Sequence, residues 1–366
     1  MTTLWDTTGS AVVKALSAER RAAGALAFGL ALTLVVVVDE KNVAAAESAA
    51  TAAAAAHPCR LLIVVRRQID APHPRLDAEV SIGGRLGPGE AIVMRMYGRL
   101  ALHAESVVLP LLASDAPVVT WWQDDPPTRI AFDPLGVFAD RRVTDCDRAP
   151  DPVEALRRRA DDFEPGDTDL AWTRISGWRT LLAAAFDGRT DQPRPARIEA
   201  DPADPSAQLF AGWLRAKLGV PVEVAGSGKR GIQAVRVAVE QTSDSGSTDR
   251  AGALNEIAVE RADSRSGTIT RPGVPPRRLP LGQLDVGDLL AEELRRLDHD
   301  VIYAEALSAW SGVPDLARRS GHRDHIWQDP MEPPPAPPVS AEPAVPPVAA
   351  ELAGAAEGEQ AAGGVA

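Results

Sequence analysis

The chain has 366 residues, 45% of them apolar, and a formal net charge of −12 at neutral pH. That length suggests two domains with material for a substantial core, and the apolar fraction excludes a wholly disordered chain. The acidic balance repels phosphate backbones and so argues against nucleic acid as a general partner, and two cysteines, Cys59 and Cys146, are too few for a secreted disulfide scaffold.

Thr7 or Thr8 caps an opening helix whose Val12, Val13 and Leu16 fall at helical spacing. From Ala22 to Val38 no residue is charged, a run of 17. A spanning helix needs roughly 18–20 apolar residues. The run contains Gly24 and Gly29, and no basic n-region or small-residue cleavage site accompanies it. It is read as a helix end, a turn and a buried strand over Leu30–Val38, with no membrane segment and a cytoplasmic location expected. Asn42–Ala56 reads as an alanine-rich helix stopped by Pro58, and Arg60–Arg66 as a second continuous apolar strand. Parallel strands covered on both faces have this character. The alternation predicts a layered α/β domain with a mostly parallel sheet.

Arg75–Ile82 alternates and reads as an edge strand. Glu90–Tyr97 reads as a strand, Leu100–Leu112 as a helix stopped by Pro110, and Pro117–Trp122 as a short strand ending in paired tryptophans. Asp151, Pro152 and Glu154 form an N-cap, a first-turn proline and a capping acid. Leu170–Phe186 reads as one amphipathic helix carrying Trp178, Leu181, Leu182 and Ala185, capped from Asp167–Asp169. A short strand at Arg197–Ala200 precedes a helix that opens at Asp204-Pro205 and stops at Gly219. Val222–Ala225, Ile232–Glu240, Ile257–Arg261 and Thr268–Arg271 read as strands, residues 241–252 as a flexible connection, and Val286–Leu297 and Val301–Trp310 as helices. The expected organisation is an N-terminal α/β domain (1–135), an α+β domain of helices and antiparallel strands (136–328), and a disordered tail (329–366). That tail holds nine prolines between Pro330 and Pro347 and no basic residue.

Catalytic constellations are tested in turn. Gly226–Gly231 spells G-x-G-x-x-G after a strand, but alternating Val235–Glu240 follows it. A dinucleotide site needs a helix N-terminus there, so the loop reads as a hairpin connection. Lys229 does not complete a Walker A pattern, and no G-x-S-x-G elbow occurs. His322 and His325 have no cysteine partner for a metal, and the acidic pairs are explained by caps and loops. No catalytic, cofactor or metal residues are therefore assigned. Cys59 follows His57-Pro58 and precedes Arg60, neighbours able to lower a thiol pKa, which makes it the redox candidate.

Several stretches together carry a resemblance. They are Leu32–Asp39, His57-Pro58-Cys59-Arg60, Pro117–Trp122, the run Asp167-Thr168-Asp169-Leu170-Ala171-Trp172-Thr173-Arg174, Trp178–Phe186 and Ser206–Val222. The chain resembles the OpcA family, the glucose-6-phosphate dehydrogenase assembly proteins of actinobacteria and cyanobacteria. The scarcity of lysine, four against a background of arginine, agrees with an actinobacterial source. The resemblance implies a non-catalytic activator that binds the dehydrogenase and supports NADPH production by the pentose phosphate pathway. Trp121, Trp122, Asp169, Trp172 and Arg174 are the expected contact residues. The alternative from another class is a sugar-phosphate or nucleotide-binding enzyme that uses the 226–231 loop.

Overall fold

Two runs of branched apolar residues form the centre of the first sheet. The computed structural model describes residues 1–23, 30–83, 89–188, 192–240 and 254–320. The chain opens with β1 (Thr2–Leu4) and α1 (Gly9–Ala22), whose Thr8 cap accepts from Ala11 N. The apolar runs follow as β2 (Leu32–Val38) and β3 (Cys59–Arg67), joined by α2 (Val43–Ala56). Next come β4 (Arg75–Ile82), β5 (Glu90–Tyr97), the one-turn helix α3 (Glu105–Val108), β6 (Val118–Trp122), β7 (Arg141–Thr144), α4 (Pro152–Asp161) and β8 (Asp167–Asp169). The sheet order is β1-β4-β5-β3-β2-β6-β7-β8. From β5 to β8 every pairing is parallel, and only β4 runs against the others, antiparallel to both β1 and β5. The mostly parallel α/β sheet predicted for this region is present.

Three local expectations change. β1 pairs along β4, so Arg75–Ile82 is not an edge. The segment predicted as a helix over Leu100–Leu112 is broken into 3-10 turns around α3, since Pro110 lacks the N–H a continuing helix requires. β7 and β8 join the first sheet through β6, so a boundary at 135/136 would cut that sheet. Residues 24–29, 241–253 and 321–366, which include the expected flexible connection, His322, His325 and the tail, lie outside the described residues. No helix among the described residues is long and apolar enough to cross a membrane.

The second sheet collects β9 (Gln192–Glu199), β10 (Val222–Ala225), β11 (Ala234–Glu240), β12 (Leu254–Arg261), β13 (Ser266–Arg271) and β14 (Val274–Pro280), in the order β10-β9-β11-β12-β13-β14. It is antiparallel except for β9 with β10. Because β10 and β11 flank β9, the 226–231 loop is an arch over the end of β9, not the hairpin expected. α5 (Leu170–Arg174), α6 (Ser176–Phe186), α7 (Pro205–Leu218) and α9 (Val301–Ser311) contribute to one core with the inward residues Ile198, Val235, Val237, Ile257 and Val259. The periodicity over Leu170–Phe186 reads as one helix, but the chain breaks at Ile175 into α5 and α6. Gly219, at φ 66°, ends α7 in the left-handed conformation.

The last element of the first domain comes from far along the chain. α8 (Val286–Leu294) returns to lie on α2, and its Leu289, Leu290 and Leu294 join the core of Leu34, Val36, Ile63 and Trp121. Ala46, Ala50 and Ala53 keep α2 thin enough for this approach. Gly287 completes it, because a Cβ there would sit 2.8 Å from Ala52 Cβ. The opposite face of the sheet is covered by α1 and the 100–112 segment through Val12, Leu16, Val107 and Leu111.

Candidate functional site

The parallel strand order fixes where a cleft opens. The chain leaves β2 toward β3 and β5, then returns to β2's other side as β6, β7 and β8. In open α/β sheets ligands sit outside the carboxyl ends of strands where this reversal occurs. A cleft of about 1740 Å³ lies there, lined by Asp39 after β2, Asp124 after β6, and Asp145 and Cys146 after β7. Its other walls come from α4, α6, the 226–231 arch and residues 282–289.

In a dinucleotide fold the loop after the first strand is glycine-rich, so that backbone N–H groups can approach a pyrophosphate. Here that loop reads Asp39-Glu40-Lys41-Asn42. Two of its donors meet the chain's own carboxylate: Asp124 accepts from Asp39 N at 2.8 Å and from Asn42 Nδ2 at 2.6 Å, with Arg148 3.7 Å away. A carboxylate thus stands beside this loop, where its charge opposes a phosphate.

The other side of the cleft is braced by the 167–174 run. Asp167 pairs with Arg142, whose side chain is fully buried. Asp169 accepts from Thr144 Oγ1 at 2.6 Å, Cys146 N at 3.0 Å and Ala171 N at 2.9 Å. Trp172 Nε1 donates to Asp300 at 2.8 Å, and Thr173 Oγ1 donates to Glu293. Glu293 also accepts from Arg141 Nη2 at 2.6 Å. Arg174 reaches both carboxylate oxygens of Asp145, at 2.7 and 2.9 Å. The run ties β7 to α8 and the start of α9, and its Ala171 and Trp172 share a core with inward residues of the second sheet. Nearby, Arg159 holds the carbonyls of Pro127 and Thr128, and burial pushes the carboxyl of its neighbour Asp162 up to about 7.

This geometry relocates the residues expected to touch a partner. Trp121 and Trp122 alternate to opposite faces of the sheet and are 0% and 1% exposed. Asp169 and Trp172 are equally enclosed. A partner docking on the folded chain cannot reach these four side chains. Arg174, whose side chain is 23% exposed, lines the cleft. What sequence reasoning missed are Asp124 and Arg261, cleft residues separated from each other by more than a hundred positions. The spacing of their acidic and basic types carries no signal before the fold brings them together.

Cys59 is also relocated. It is buried at the start of β3, and burial pushes its thiol up to about 12. The neighbours expected to activate it are otherwise engaged. His57 Nε2 lies 2.9 Å from Ala291 O, and Arg60 binds Glu90 and Leu111 O. Burial, then Asp169, push Cys146 well above its ordinary value too. Both cysteines should therefore resist a maleimide at neutral pH in the folded chain and react only on unfolding, because thiolate is the attacking form. Rapid labelling of Cys59 without denaturant would contradict its placement.

Comparison with known proteins gives the context for this architecture. The family described as "Glucose-6-phosphate dehydrogenase subunit N-terminal domain" matches residues 50–161, and its C-terminal counterpart matches residues 165–307. A protein of Synechococcus elongatus named as the OxPP cycle protein OpcA is 30% identical over 143 residues, 36% of this chain and 31% of that protein. The protein of the same name from Nostoc punctiforme is 28% identical over 117 residues, 30% of this chain and 25% of its own. The match thus spans about a third or less of these curated relatives. A solved oxidoreductase from Sinorhizobium meliloti superposes with a TM-score of 0.37 at 11% identity, over 78% of this chain and 96% of that one, too loosely to carry an argument. The two family matches run in order across both sheets, and on them the chain belongs to the OpcA family of glucose-6-phosphate dehydrogenase assembly proteins.

Proposed function

We propose that this chain is a non-catalytic partner of glucose-6-phosphate dehydrogenase that binds the dehydrogenase and favours its active oligomer. The observation that carries the reading is the ordered match of both family domains over residues 50–307. The switch-point loop supports the non-catalytic part, since it has no glycine and Asp124 takes the Asp39 N–H and the Asn42 amide. A partner shifts an oligomer equilibrium only by its affinity difference between the two states. A hundredfold preference supplies about 2.8 kcal/mol, enough to move a minor state to dominance.

The buried joint at 167–174 has a defined part in this reading. It holds the two sheets in one arrangement, so it acts on partner binding through shape and not through contact. The expected result is that tagged chain captures the dehydrogenase from the same organism at micromolar concentration. Asp169→Asn should weaken capture only in proportion to its loss of folded protein. Failure of the intact, folded chain to form the complex would overturn the reading.

A further inference from the structure

One wall of the cleft is continuous through short contacts. Arg174 Nη2 lies 4.0 Å from Asp147, and Asp147 lies 3.6 Å from Arg230 Nη2 on the arch. Two residues on, Ile232 O accepts from Arg261 Nε at 3.2 Å, and the Arg261 guanidinium lies 5.3 Å from the centroid of the Trp178 ring. Lys229 stands next to Arg230 on the same arch, exposed toward the cleft it lines.

Two bases on this wall are less engaged than most of the acids that line the cleft. Asp124 is held by Asp39 N and Asn42, Asp145 by Arg174, Asp204 by Ser206 N and Asp285 by Asp288 N. Lys229 meets no carboxylate among the described residues, and Arg261 has only the carbonyls of Ile232 and Leu281, the latter at 3.5 Å. Asp263, which acts on Arg261 through space, is turned to Arg265 N and Ser266 N at 2.8 Å each and to Arg278. A half-buried guanidinium bonded only to carbonyls lacks a direct carboxylate partner. Arg230, with a side chain 91% exposed and only a 3.6 Å bridge to Asp147, is loose enough to turn toward an anion.

We infer that this wall seats a small phosphate monoester, with its phosphate against Arg261 and Lys229 and its organic part in the open cleft. The Nη2 group that Arg261 leaves clear of these carbonyls and the Lys229 ammonium together suit a phosphate dianion. The volume of about 1740 Å³ exceeds what a small molecule alone fills, so the organic part has room. This seat is separate from the loop after β2 that Asp124 bonds, and it does not depend on the partner reading.

The test uses the full chain in thermal unfolding at constant ionic strength. Inorganic phosphate, glycerol 3-phosphate and glucose 6-phosphate are compared with chloride and glucose. A saturable rise in Tm with a phosphate-bearing compound, absent with chloride and glucose, is expected. Lys229→Gln and Arg261→Gln should each weaken the apparent affinity by about tenfold or more. Lys229→Gln changes an exposed side chain, so it decides the matter even if the Arg261 variant folds poorly. No saturable rise up to about 10 mM, or a rise left unchanged by Lys229→Gln, would overturn the inference, the latter marking an adventitious ion only.

Discussion

Arg142→Met is expected to destabilise the chain by about 3–5 kcal/mol, because it leaves a buried carboxylate without its partner. The Arg142 side chain is fully enclosed, and it bridges β7 to Asp167 on β8 while also donating to Ala139 O at 3.2 Å and Pro165 O at 2.7 Å. Burial raises the Asp167 carboxyl above its ordinary value, and Arg142 opposes that rise. Without the guanidinium the folded-state pKa moves higher still. A carboxyl raised on folding binds its proton more tightly in the folded chain, so its cost is full at high pH and fades as pH falls toward the ordinary carboxylate range. The deficit of the variant should therefore shrink on acidification. Urea midpoints across pH check this, and a deficit that is small or independent of pH would contradict the pairing.

Gly212→Ala should also destabilise, although alanine favours a helix by about 1 kcal/mol over glycine. Gly212 lies where α7 crosses α9 in the second core. A Cβ there would stand 2.1 Å from Ala306 O and 2.9 Å from Trp310 Cβ. Neither atom can yield without moving α9, and overpacking of this kind costs about 1–3 kcal/mol or more beyond the propensity gain. Trp310 Nε1 donates to Gln208 at 2.9 Å, so its fluorescence should change with the crossing. An unchanged or higher Tm with native Trp310 emission would show that the crossing is looser than described.

The parts of this fold that are legible in sequence are those whose chemistry is local. β2 and β3 show as unbroken branched runs because both faces of the sheet are covered. Thr8, Asp151 and Asp204 are readable as caps because each bonds the backbone within three residues. β7 and β8 are illegible because Arg141, Arg142, Asp167 and Asp169 look like loop residues until long-range pairs satisfy them. β14 hides behind Pro275 and Pro276, which an edge strand tolerates. The same physics explains the misplaced contact residues. A buried tryptophan and an interface tryptophan have one composition signal, and only the alternation of Trp121 and Trp122 across a two-sided sheet separates them. The cleft is a product of topology, since β2, β6, β7 and the arch meet only when the strand order reverses.

The proposed partnership with glucose-6-phosphate dehydrogenase is tested most directly by titration. Increasing amounts of purified chain should be added to glucose-6-phosphate dehydrogenase from the same organism, with the initial rate and the sedimentation coefficient recorded together. Both are expected to rise and saturate at a fixed ratio of the two proteins, while the chain alone reduces no NADP. A rate and oligomer size that stay flat through micromolar chain, or NADP reduction by the chain without its partner, would contradict it.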